Sequence, residues 1–167
     1  HLITTVDPSL HKYFNKYVKK VPSSIEYCSA KELEKISDIP LSFKYKDIVV
    51  ELALIGEYQL SNAILAIKTV EYLFPYVNTA EIKEGLYYSQ WPGRLDAIEQ
   101  NIYIDGGHNT HAIEALKISA QTTFKNKKVW VLFSALGDKD IKGMLTLIQS
   151  FAQRTVITSF PDVRFQD

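Results

Sequence analysis

Arg94 sits in the stretch Trp91–Pro92–Gly93–Arg94, and a short way downstream the chain reads Asp105–Gly106–Gly107–His108–Asn109. These residue types suit nucleotide chemistry. A Pro–Gly corner is rigid and presents a single guanidinium, whose planar fork donates several hydrogen bonds at fixed charge to phosphate. Asp105 closes the apolar run Ile102 to Ile104 and comes just before a flexible Gly–Gly turn and a helical pattern. An acid at the carboxyl end of a strand, followed by a helix amino terminus, is a favourable place for ribose hydroxyls and phosphate. His108 could contact phosphate or move a proton, although a structural hydrogen bond is the plainer account of an isolated histidine. Gln59 and Asn62 fall in the first turn of another helical pattern, where backbone donors lack partners. Taken alone, capping by Ser61 or Asn62 accounts for them.

Other candidates are weaker. Asp138–Lys139–Asp140 reads as capping and surface charge, with Asp138 at the start of a helix. Cys28 is the only cysteine, which excludes an internal disulfide and a thiol-rich metal site and fits a reducing compartment. It reads as a small filler in a strand. No histidine and carboxylate pair has metal-ligand spacing along a helix, so no metal ligands are assigned. Neither GxGxxG nor GxxxxGK[ST] occurs, so if the chain touches ATP it is not the part that wraps the phosphates.

The elements that must position these residues follow from periodicity. Asp7–Pro8 starts a helix with Leu10, Phe14, Tyr17, Val18 and Val21 on its apolar side, ended by Pro22. Ile25 to Cys28 is a short strand, and Ser29 to Glu32 has capping-box spacing before a short helix. Leu41, Phe43 and Tyr45, then Ile48 to Ile55, form a hairpin about Lys46–Asp47. Gly56 opens a helix carrying Leu60, Ala63, Ile64, Ile67, Val70 and Phe74, with Leu65, Ala66 and Leu73 making a second buried face. Thr79 to about Ser89 is another helix, and the Trp91–Pro92–Gly93 corner marks a domain boundary. Beyond it strand and helix alternate: Asn101–Asp105, Thr110–Phe124, Val129–Phe133, a helix with Ile141, Leu145, Ile148 and Ala152, then Thr155–Ser159. This order implies a parallel sheet, with Val129–Phe133 covered on both faces and Asp105, Ser134 and Ser159 at its ligand edge.

The 167 residues are 46% hydrophobic and 23% charged, with nineteen acidic and nineteen basic side chains. That is globular composition, and the neutral balance gives no reason to expect nucleic acid or an anionic membrane as partner. No apolar run approaches the roughly eighteen residues of a membrane-spanning helix, and no secretory signal is visible. A cytoplasmic monomer is expected. The first residues read as the tail of a strand and the chain does not start with methionine, so a piece of a longer protein is expected.

GEYQLSNAILAI, WPGRLD, IDGGHNTHA and ALGDKDIKGML, in this order, resemble the carboxyl half of the folylpolyglutamate synthase and dihydrofolate synthase family, within the Mur ligase superfamily. The likeness covers roughly residues 40 to 160. It implies an α/β fold: residues 1–92 as the carboxyl-terminal part of a central ATPase domain, and 93–167 as an incomplete, Rossmann-like, parallel-sheet carboxyl-terminal domain. It also implies an ATP-dependent ligase that adds L-glutamate to the γ-carboxylate of a folate glutamate tail through an acyl phosphate. ATP, L-glutamate and folate or dihydropteroate are the implied small molecules, and magnesium is implied with its ligands, like the phosphate loop, upstream of His1. By motif, Asn62 contacts adenine with Gln59 in support, Arg94 reaches the phosphates across an interdomain cleft, Asp105 holds the ribose, and His108 helps position phosphate or glutamate. Gly107 replaces the usual alanine, which should only loosen the turn, and Thr110 replaces the usual proline. Two rivals remain: a sibling ligase of peptidoglycan synthesis, and a non-catalytic nucleotide-binding module. The chain by itself is expected to be inactive.

Overall fold

A computed structural model describes residues 1–159. They form two compact units, His1–Ala53 with Tyr58–Gln90, and Leu54–Glu57 with the described residues from Trp91 onward.

In the first unit, β1 (Leu2–Thr4) and β2 (Ile25–Tyr27) pair in parallel, joined through α1 (His11–Val18). The Asp7 carboxylate accepts the Ser9 amide at 2.9 Å and starts a single 3-10 turn, Pro8–Leu10, that leads into α1. The anticipated apolar face of α1 is only half covered. Phe14 and Val18 are partly buried, whereas Leu10, Tyr17 and Val21 are exposed. Helical spacing identifies a stripe, but neighbouring elements decide whether it is covered. Ser29 and Glu32 complete both arms of a capping box around one 3-10 turn, Ala30–Glu32.

The expected hairpin is β4 (Leu41–Tyr45) with β5 (Ile48–Leu52), Tyr45 opposite Ile48, turning through Lys46 at φ +50°. A third strand, β3 (Glu34–Asp38), pairs antiparallel with β4 and was not anticipated. Its Glu–Lys–Ile–Ser–Asp sequence has no apolar alternation to read, because it is a bulged edge strand with Ile36 exposed. The helix after Gly56 is α2 (Gln59–Leu73), followed by α3 (Thr79–Tyr87) under an Asn78–Glu81 capping box. Leu60, Ala63, Ile64 and Ile67 pack with Phe43, Val50 and Leu52 in the core of this unit. The expected second buried face of α2 is corrected: Ala66 and Leu73 are exposed.

In the second unit, β6 (Asp96–Glu99) and β7 (Ile102–Ile104) are followed by α4 (Thr110–Thr122), β8 (Trp130–Phe133), α5 (Ile141–Gln149) and β9 (Arg154–Ile157). The anticipated alternation of strand and helix is present, and β8 pairs in parallel with β9, Phe133 opposite Ile157. The fold class is α/β as expected. Two details are corrected. β7 is bonded antiparallel to β6, with Asp96 opposite Ile104 and a turn through Asn101 at φ +64°. Among the described residues it has no ladder with β8. β6 escaped notice because Asp–Ala–Ile–Glu carries too little apolar signal. The run Val129–Phe133 is covered on one face rather than two: Phe133 is buried, while Trp130 and Leu132 are 66% and 72% exposed. The core lies on the helix side, where Ile113, Phe133, Ala135, Met144 and Ile148 pack together. Asp140, not Asp138, caps α5, accepting the Gly143 amide at 2.9 Å, while Asp138 pairs with Lys139.

Candidate nucleotide site

Gln59 and Asn62 occupy the first turn of α2, and the expectation that Ser61 or Asn62 caps the helix is corrected. The N-cap position is Tyr58 and no side chain caps the turn. Instead Asn62 donates its amide to Gln59 Oε1 at 2.8 Å. Gln59 is 3% exposed and Asn62 is exposed, so a buried side chain holds the orientation of a solvent-facing carboxamide. A carboxamide with one fixed bond can offer both a donor and an acceptor to a planar heterocycle.

The second group, in the other unit, is built on the backbone around Arg94. Gly93 has φ +75° and Leu95 has φ +48°, so the guanidinium is carried between two left-handed residues. Such a conformation is uncommon for leucine and needs support from its surroundings. Here Leu95 is buried, at 3% exposure, and the corner is tied on both sides. The Gly93 amide donates to Asp96 Oδ2 at 3.2 Å, and the Gly93 carbonyl accepts the Gly106 amide at 2.8 Å. The Leu95 amide donates to Asp105 Oδ2 at 3.1 Å, and the Gly107 amide to Asp105 Oδ1 at 2.7 Å. Arg94 itself is half-buried, and among the described residues its guanidinium has no hydrogen-bond or ion-pair partner.

Asp105 therefore stands one residue past the end of β7, as the sequence implies, with each carboxylate oxygen already accepting one backbone amide. Tyr103, not Ile102 or Ile104, turns inward from β7; its ring lies 4.8 Å from that of Phe124, and the two isoleucines are about half exposed. His108 is exposed, and its Nδ1 lies 2.9 Å from the Gly106 carbonyl. A carbonyl only accepts, so Nδ1 carries the proton and Nε2 is left as an acceptor in the neutral ring. Asn109 caps α4, accepting the Ala112 amide at 2.8 Å, and Thr110 takes the first helical position. A Cβ on Gly107 would lie 2.9 Å from Asp105 Oδ1, so a side chain there would require that carboxylate to move.

Leu95, Asp105 and Gly107 also border a cavity of about 660 Å³ that runs along Tyr103, Val131 and Ser134. Ser134 Oγ is buried there without a partner among the described residues. Ser159, two residues beyond β9, is exposed. Cys28 is buried and its thiol is pushed up by that burial and by the nearby Glu32 and Glu26 carboxylates, which leaves it a poor nucleophile. Among the described residues no three histidine, cysteine, aspartate or glutamate side chains converge as metal ligands, and no helix is long and apolar enough to cross a membrane. Sequence reasoning missed the two residues that flank the corner, Leu95 and Asp96. The one available signal was an aspartate placed to meet a glycine amide three residues upstream.

Residues 93–167 match the family described as the Mur ligase, glutamate ligase domain. The dihydrofolate synthase/folylpolyglutamate synthase of Bacillus subtilis (strain 168) is 33% identical over 122 residues, which cover 70% of this chain and 28% of that protein. The folylpolyglutamate synthase of Lacticaseibacillus casei is 35% identical over 104 residues, covering 57% of this chain and 23% of that protein. Among solved structures, Mycobacterium tuberculosis folylpolyglutamate synthase complexed with ADP superposes with a TM-score of 0.82 at 23% identity, covering 98% of this chain and 39% of that one. The fold is thus shared along nearly the whole chain, which spans about a quarter of the length of these curated relatives. The resemblance to the carboxyl-terminal part of folylpolyglutamate synthase/dihydrofolate synthase is borne out, and residues 93–167 are similar to the Mur ligase, glutamate ligase domain.

Proposed function

We propose that this chain is the adenosine-side part of an ATP-dependent ligase that joins L-glutamate to the γ-carboxylate of a folate glutamate tail. In this reading ATP supplies the phosphoryl group, forming an acyl phosphate on the γ-carboxylate. The glutamate amine attacks that carbon, and ADP and phosphate leave. Residues 1–92 are then the end of a central ATPase domain and 93–167 the start of the carboxyl-terminal one.

The observation that carries the reading is the braced corner. Arg94 lies between two left-handed residues held by Asp96, Gly106 and Asp105, with no partner of its own among the described residues. A guanidinium on a braced backbone, without a partner among the described residues, suits charge that develops on a transferred phosphoryl group, where preorganised donors contribute most. The remaining roles are assigned on the same proposal. Asn62, steadied by Gln59, meets the adenine. Asp105 accepts ribose hydroxyls through lone pairs not used by the two amides. His108, exposed beside the turn, positions phosphate or glutamate. Among the described residues no three histidine, cysteine, aspartate or glutamate side chains could hold magnesium.

A second reading has support of its own. A UDP-N-acetylmuramoyl-L-alanyl-D-glutamate–2,6-diaminopimelate ligase of Buchnera aphidicola is 30% identical over 96 residues, 55% of this chain and 19% of that protein, which supports a peptidoglycan-type amino-acid ligase as the alternative. The test is ATP consumption by a polypeptide carrying this chain together with the remainder found in its relatives. Glutamate- and folate-dependent ADP release, with a product one glutamyl unit heavier, is expected. ADP release only with a UDP-muramyl peptide would favour the second reading, and nucleotide binding without turnover on either substrate would favour a binding module.

A further inference from the structure

We infer that Asp105 is a positioning residue for Arg94, acting through the backbone on either side of the Gly93–Leu95 corner, whatever it does toward a ribose. Both carboxylate oxygens are engaged: Oδ2 by the Leu95 amide at 3.1 Å and Oδ1 by the Gly107 amide at 2.7 Å. One carboxylate thus ties the residue next to Arg94 to the glycine turn after β7. The Gly106 amide adds a second tie to the Gly93 carbonyl at 2.8 Å. Leu95 needs that support, because a leucine at φ +48° sits in a sparsely populated region that persists only when its surroundings over-determine it. A carboxylate is suited to the task since it is acceptor-only on both oxygens. The Asn side chain is not a neutral replacement. One of its two ends is an NH₂, which would face a backbone N–H and leave a donor without its acceptor.

The consequence is that Asp105→Asn disturbs the corner before any nucleotide is present. A residue that reads only ribose would leave the free protein unchanged. The inference rests on the proposed phosphate role of Arg94 in one of its readouts only.

The test uses the ¹⁵N-labelled 167-residue chain, wild type and Asp105→Asn. In the variant, the Leu95 and Gly107 amides should exchange with solvent at least about tenfold faster, while amides of Phe133 and Ile148 keep their protection. The Arg94 amide should show a lower relaxation order parameter. Inorganic tripolyphosphate, which has no ribose, should bind Asp105→Asn as weakly as it binds Arg94→Ala, with the double variant no weaker. Unchanged Leu95 exchange overturns the inference. So does faster exchange with an unaltered Arg94 order parameter, or with unaltered tripolyphosphate affinity. If the wild-type chain, which has no GxxxxGK[ST] loop, does not bind tripolyphosphate, amide exchange and the Arg94 order parameter decide the clasp. If Asp105→Asn does not fold, scalar couplings across the hydrogen bonds from the Leu95 and Gly107 nitrogens to the Asp105 carboxyl carbon in the wild-type chain take its place. Both present supports the clasp, and either absent overturns it.

Discussion

Arg94 and Gly107 make the sharpest demands on side-chain identity. In a polypeptide completed to the length of its relatives, Arg94→Ala is expected to lower kcat more than it raises the KM for ATP, by on the order of 3 kcal/mol of transition-state stabilisation if it behaves as other preorganised donors do. Arg94→Lys should recover little, because an ammonium on a flexible stem lacks the fork. Steady-state kinetics decide the matter: normal turnover with only a raised KM would mean that Arg94 binds ground and transition states alike. Gly107→Ala places a methyl group 2.9 Å from Asp105 Oδ1 and in contact with Ala112 and Ile113. The carboxylate must shift, so the 2.7 Å bond to the Gly107 amide should lengthen and that amide should exchange faster. Retained protection of the Gly107 amide in the alanine variant would show that the turn accommodates the methyl group in place.

At the scale of elements, two features can be tested without reference to chemistry. Tyr45, at the end of β4, is 5% exposed and donates to Glu71 of α2 at 3.0 Å. Burial, together with the hydrogen bond and charge of Glu71, pushes its hydroxyl up to about 12 from the ordinary value near 10. The folded state therefore holds a proton that the unfolded chain releases. The stabilisation is complete below pH 10 and is lost as pH rises from about 10 to 12. A falling Tm across that window is expected, with the fall reduced in Tyr45→Phe; an equal fall in the variant would assign it to other groups. At α5, Asp140 accepts the Gly143 amide, and a Cβ on Gly143 would lie 2.2 Å from Asp140 Oδ2. Asp140→Ala should cost about 1 kcal/mol in denaturant unfolding, as lost caps do, whereas Asp138→Ala should cost less.

These elements also show what was legible in the sequence and what was not. The capping box at Ser29, the hairpin about Lys46–Asp47 and the α4 and α5 stripes are local, and local patterns encode them. β3 and β6 were missed because polar edge strands bury little, so burial leaves no alternation in their residues. The pairing of β7 with β6, and the open face of β8 at Trp130 and Leu132, depend on which element lies alongside, a non-local fact. The same division runs through the site. Arg94, Asp105 and His108 stand out by type and motif. The φ of Leu95 and the double acceptance by Asp105 follow from backbone geometry that no residue type announces. The exchange of capping for an Asn62–Gln59 bond is likewise a matter of rotamers rather than composition.

At the scale of the whole molecule, the expectation is that these 167 residues alone add no glutamate. The chain has no GxxxxGK[ST] loop, and among the described residues no metal-ligand group. Arg94 can stabilise charge on a phosphoryl group only if something else cradles the polyphosphate and aligns it with a carboxylate. Positioning of that kind can supply roughly 7–11 kcal/mol of a barrier, so its loss removes turnover even where weak binding survives. Two measurements separate the cases. Isothermal titration of ATP into the chain should give at most weak binding, and weaker still with 2′,3′-dideoxy-ATP if Asp105 reads the ribose. A coupled ADP assay with folate and L-glutamate should stay at background. Sustained ATP-dependent glutamate addition by the isolated chain would mean that the corner at Arg94, the turn at Asp105 and the first turn of α2 hold enough of the site to do the chemistry themselves.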